Sequence, residues 1–133
     1  MSYISFTIKT PPRTKKNHGQ IYFRNGKPCY TTSEAFKKYE KASRKYFTDI
    51  LKLQAMSLTP PLNVKAEFYM DSKRRVDLVN LEQALCDILV HNHIIEDDNS
   101  KIVASMDGSR VLVDKVNPRT EVTITELDSR REK

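Results

Sequence analysis

The sequence predicts a single α+β domain, a small mixed β-sheet with two main helices packed on one of its faces. Three observations predict it. Segments near the start, middle and end alternate apolar and polar residues with the two-residue period of half-buried strands. Two longer segments carry apolar residues at helical period. Strands and helices alternate irregularly, which favours α+β over a regular βαβ array. At 133 residues, with 38% apolar and 30% charged content, the chain suits one domain with a modest core. The domain is expected to span 1–133, with about 128–133 frayed.

The first strand is "YISFTIKT", where Ile4, Phe6 and Ile8 alternate with smaller polar residues, and Pro11-Pro12 ends it. Asn25-Gly26 is a strong hairpin signal, flanked by Tyr22, Phe23 and Tyr30. Those aromatics either pack the hairpin or stack on unpaired bases. Ser33 is the expected cap of a helix over 33–56, with Phe36, Tyr39, Ala42, Tyr46, Phe47, Ile50 and Leu51 as its stripe. Its other face carries Lys37, Lys38, Lys41, Arg44 and Lys45, a solvated face or a phosphate-contacting one.

Pro60-Pro61 closes that segment, and "LNVKAEFYM" alternates as the next strand. Asp77 is the expected N-cap of a second helix running to about Asn92, with Leu78, Leu81, Leu85, Ile88 and Leu89 as its stripe. A loop "HNHIIEDDN" follows. "SKIVASMDGSRVLVDK" gives a strand, an Asp107-Gly108 turn and a short strand, and "RTEVTITEL" is the last strand.

No apolar run approaches the ~20 residues that span a bilayer. The N-terminus lacks the basic-then-apolar order of a signal peptide, so a cytoplasmic location without membrane partners is expected. Cys29 and Cys86 lack metal-site spacing and are expected to be free thiols.

The net charge of +6 is unevenly spread. Residues 1–76 hold 16 lysines and arginines against 5 acidic residues, whereas residues 77–133 hold 7 against 12. A chain that grips phosphates with one part and a cationic metal with another has a reason for this asymmetry. An acidic half that docks a basic protein is the competing reading.

The densest chemistry lies in "KRRVDLVNLEQALCDILVHNHIIEDDN". Helical positions seven apart point in nearly one direction, so Asn80 and Asp87 share a face, with Asp77 about 60° away. Asp97 and Asp98 follow the helix. Mg²⁺ takes hard oxygen ligands and is commonly held by one or two carboxylates plus substrate phosphate. Lys73, Arg74 and Arg75 stand where cations would hold the backbone being cut. The competing assignments are a helix cap for Asp77, a surface position for Asp87 and a turn for Asp97-Asp98. His91-x-His93 is either a metal or base pair or a helix end favoured by the dipole. His18 lies in the basic segment, where it could touch phosphate.

Four pieces in order carry a resemblance over nearly the whole chain: "PPRTKKNH", "RRVDLVNLEQALCDIL", "IIEDDN" and "EVTITEL". Together they resemble the RusA family of Holliday-junction resolvases, small endonucleases of prophage origin. The second piece is similar to the family's basic run followed by Asp-x-Asp-Asn-Leu-x-x-Ala-x-x-Asp-x-Leu. The third is similar to its Asp-Asp pair.

The resemblance implies a RusA-like fold. It implies a homodimer that cuts symmetric strands of four-way junctions in DNA recombination and repair, with Mg²⁺ as cofactor and Mn²⁺ as a possible substitute. It implies Asp77, Asp98 and Asp87 as catalytic residues and Asp77, Asp98 and Asp97 as metal ligands. The DNA contacts implied are Lys15, Lys16, Lys73, Arg74, Arg75 and Asn80. Two positions depart from the pattern: Val79 replaces the second aspartate, and Gln83 replaces a helix lysine. Asp87, Asn80, Glu96 or further waters on the metal are the candidate replacements for the first, and Lys15 or Lys16 for the second. The second functional reading is a junction-binding protein of the same fold with a weakened or inactive site.

Overall fold

The structure, a computed structural model, describes residues 2–15, 20–31 and 34–127. Its strands are β1 (Tyr3–Ile8), β2 (Gln20–Arg24), β3 (Lys27–Thr31), β4 (Leu62–Met70), β5 (Val103–Ser105), β6 (Arg110–Val113) and β7 (Arg119–Glu126). Its α-helices are α1 (Glu34–Ser43), α2 (Asp49–Met56) and α3 (Leu78–His91), with a 3₁₀ turn over Arg44–Tyr46. Lys16, His18, the Ser33 cap and the 128–133 tail lie outside the described residues, as do the side chains of Tyr22, Cys29 and Tyr30.

The α+β class is as the alternation predicts. The main sheet runs β1-β7-β4-β5, with β6 also on β4, and β2-β3 forms a separate ribbon. β7 is antiparallel to both β1 and β4. Register stacks the core in three rungs: Ile4–Ile124–Val64, Phe6–Val122–Ala66 and Ile8–Thr120–Phe68. Strand side chains alternate between faces, so one register fixes which residues are buried. Every second residue of β4, from Leu62 to Met70, is buried, and its intervening residues are only partly covered. The three helices contribute to the same core cluster as this face.

β5 and β6 both pair with β4 in parallel, β5 at its start and β6 at its end. A parallel pair needs a long crossover, and α3 supplies it. The β4–α3–β5 unit therefore sets the start of α3 beside the carboxyl end of β4. The Asn25-Gly26 hairpin forms as expected, with both residues at positive φ (54° and 77°), the geometry of a type I′ turn.

One expectation is corrected. The single helix over 33–56 is broken into α1, the 3₁₀ turn and α2. Ser43 Oγ donates to the Tyr39 carbonyl at 2.6 Å, a local bond that competes with helix propagation. Phe47 leaves helical geometry at φ −97°, ψ 74°. Thr48 then caps α2, its hydroxyl accepting from the Leu51 amide at 3.2 Å. The apolar stripe crosses this break because Phe47 still reaches the core, edge-on to Phe6 at 5.9 Å. Periodicity reports burial and is blind to such an interruption.

Candidate functional site

β4 ends at Met70, and Asp71–Val76 carry the chain to α3. Arg74 and Arg75 are exposed. Asp77 occupies the N-cap position, with extended backbone at φ −86°, ψ 123°, but its carboxylate makes no cap hydrogen bond. Asn80 Nδ2 donates to Asp77 Oδ2 at 3.2 Å instead. The carboxylate is exposed and keeps its second oxygen clear of the helix amides. The helix cap is therefore a backbone role only, and the acid is left to other work.

Asp87 lies three turns up α3, and its Oδ2 is 2.8 Å from Lys15 Nζ. The same ammonium stands 5.5 Å from the Phe36 ring centroid, within cation–π range. Two residues earlier, Arg13 donates to both carboxylate oxygens of Asp71, at 3.1 and 2.7 Å. That fork holds the Asp71 carboxyl below its usual range, with the nearby charge of Arg13 and then Arg74 adding to it. The N-terminal segment is thereby fastened to the β4–α3 connection and to α3 at once. Arg13, Thr14, Arg74 and Arg75, with Asp71 and Ser72, line a cleft of about 350 Å³.

Asp97 is a turn residue. Its oxygens accept from the Asp98 amide at 2.8 Å and from Asn99 Nδ2 at 2.9 Å, and these bonds lower its pKa. Asp98 is exposed. Burial, and then the negative charges of Asp98, Asp87 and Glu82, push the Cys86 thiol up to about 12. Asp98 therefore comes back close enough to α3 for its charge to act on Cys86. Cys86 itself is a buried free thiol, as expected.

Among the described residues, no three His, Cys, Asp or Glu side chains converge closely enough to hold a metal ion together. Of the expected acidic set, Asp98 and Asp87 both act on Cys86, while Asp77 sits with Asn80 at the helix start. His91 Nδ1 is 3.3 Å from Glu40 Oε2, tying α3 to α1, and His93 turns the chain at φ 61°. Lys73 is exposed, as is Val79 at 70%. Two site-building residues escaped the sequence reading, Arg13 and Asp71, because a cation among cations and a lone acid after a strand carry no local signal. Glu82 escaped it too. This half-covered carboxyl is raised by burial, against a hydrogen bond from Ser109 that lowers it.

The available donors near the start of α3 are oxygens, from Asp77 and Asn80. Such a set suits a hard cation like Mg²⁺, which needs few protein ligands, and not Zn²⁺. A basic cleft beside an uncommitted carboxylate, on a strand-to-helix connection, is equipment for handling a polyanionic backbone. Residues 9–125 match the family model described as endodeoxyribonuclease RusA. The chain belongs to the RusA endodeoxyribonuclease family. No curated protein matches it. Among the described residues, no helix is long and apolar enough to cross a membrane.

Proposed function

We propose that this protein is a structure-selective endodeoxyribonuclease that resolves four-way DNA junctions in recombination and repair, acting as a homodimer with a divalent cation. The observation that carries the proposal is the Asp77 carboxylate, exposed, not used as a cap and oriented by Asn80, next to a cleft lined by Arg13, Arg74 and Arg75. The family supports DNA cleavage as the activity and branched DNA as the substrate.

Asp77 and Asp98 would hold Mg²⁺, or Mn²⁺ in its place. When bound, the cation neutralises charge on the phosphoryl oxygens and lowers the pKa of a coordinated water. Asn80 orients the Asp77 carboxylate. Asp97 fixes the Asp98 turn through its bond to the Asp98 amide. Lys73, Arg74 and Arg75 neutralise the strand beside the cut, and Lys15 adds a cation from the N-terminal segment. A two-fold enzyme suits a two-fold junction, because paired cuts need two equivalent sites.

Val79 favours a second reading. It presents an exposed isopropyl group where another carboxylate would complete the acidic pair. A protein with that defect binds junctions and leaves them whole. The deciding experiment incubates a labelled four-way junction with the protein in Mg²⁺, Mn²⁺ or EDTA, beside Asp77→Asn. Paired, metal-dependent cuts that vanish in Asp77→Asn establish the resolvase. A gel shift without products establishes the binder.

A further inference from the structure

The cleft at the end of β4 has two walls from distant parts of the chain. One is the 71–76 connection, with Asp71, Arg74 and Arg75. The other is the N-terminal segment, with Arg13 and the buried Thr14. That second wall is fastened at alternate residues to carboxylates 58 and 72 positions away, Arg13 to Asp71 and Lys15 to Asp87. Half-exposed ion pairs of this kind contribute little to stability. Two of them on one short segment are better understood as setting where that segment lies.

The lining carries three guanidinium groups and one carboxylate, so an anion is the matched occupant. Arg74 and Arg75 form no ion pair among the described residues. Arg13 spends three N–H groups, on Pro12 O and the two Asp71 oxygens, and keeps its Nε–H and one Nη2 proton. The volume lies at the small end of ligand-sized clefts, about 300–1,000 Å³, and admits one sugar-phosphate unit rather than a duplex.

We propose that this cleft binds a phosphodiester of one DNA strand, and that Asp71 and Asp87 are positioning residues, Asp71 clamping Arg13 into its far wall and Asp87 holding Lys15, the residue that follows the wall, so that the segment stays in place. This rests on the DNA reading above. It also separates Asp87 from direct chemistry, making it act on the strand through Lys15.

The clamp predicts a sign that simple charge counting does not. Asp71→Asn and Asp87→Asn each add a unit of positive charge, and a carboxylate that merely screens cations would leave DNA binding tighter on removal. The clamp makes both variants bind worse. The test is fluorescence anisotropy with a labelled four-way junction in EDTA over a salt series. The proteins are the parent, both variants, Arg74→Gln and Arg13→Lys, with melting temperature as the fold control.

Each aspartate variant is expected to weaken binding about tenfold, with Arg74→Gln flattening the log–log salt slope by about one. Arg13→Lys keeps the charge but cannot fork onto Asp71, so it also weakens binding, and it serves where an asparagine variant fails to fold. If the asparagine variants, or Arg13→Lys in their place, bind as tightly as the parent or tighter, the clamp is overturned while the DNA reading stands. If the parent shows no junction binding even at low salt, the DNA reading fails and the clamp falls with it.

Discussion

Asn80 Nδ2 donates to Asp77 Oδ2 at 3.2 Å across the first turn of α3, in the place where a cap bond from the helix amides would ordinarily hold that carboxylate. One amide thus fixes the direction of the acid without neutralising it. A partner of this kind, behind a metal-binding carboxylate, typically matters 10–100-fold for affinity or activity. Asn80→Ala is therefore expected to lower junction cleavage by about that factor. Junction affinity in EDTA should fall much less than cleavage does, because Asn80 carries no charge and the cations supply most of the affinity. Cleavage rates and anisotropy on the same preparation check both halves.

Val79 is exposed, so replacing it disturbs no packing. Val79→Asp is expected to leave the melting temperature unchanged and to shift half-maximal cleavage to roughly tenfold lower Mg²⁺, since a second carboxylate strengthens a sparse oxygen site. A Mg²⁺ titration of cleavage by both proteins reads this directly.

The Cys86 thiol, pushed up to about 12, keeps its proton across the neutral range. Thiolate is the reactive form, so Cys86 is expected to resist alkylation at pH 8 in the native protein and to label fully in denaturant. A Cys29→Ser background isolates the signal. The folded state prefers the protonated thiol. Its contribution to stability is full below the ordinary thiol value and is lost as pH rises toward about 12.

Phe68 is fully buried in the middle strand, level with Ile8 and Thr120 on the core face. Phe68→Ala is expected to cost about 3–5 kcal/mol, from lost transfer energy plus the cavity. Urea denaturation measures it.

Thr48 caps the N-terminus of a two-turn helix, its hydroxyl accepting from the Leu51 amide. Thr48→Ala is expected to cost about 1 kcal/mol, and Thr48→Ser little of it, because the hydroxyl is what accepts from Leu51. The difference between the two variants in urea midpoint isolates the cap.

Local pattern determined much of this protein. Alternation alone marked β1, β4 and β7, because a strand that buries one face must alternate. The leucine stripe and Asp77 marked α3 to within a residue at either end. Asn25-Gly26 marked its hairpin, because both positions require positive φ. The candidate acids and the basic run were also legible, since their residue types and spacing are written in one stretch of chain.

Only the tertiary structure decided the rest. The break after α1 hides under an unbroken apolar stripe. The parallel pairing of β5 and β6 with β4 depends on how α3 crosses the sheet. The pairing of Arg13 with Asp71, and of Lys15 with Asp87, joins residues whose neighbours in sequence give no hint of each other. Hydrogen-bond and hydrophobic periods act over a few residues and leave a local trace. Ion pairs closed by the fold leave none, because any cation and any carboxylate would read the same until the chain brings them together.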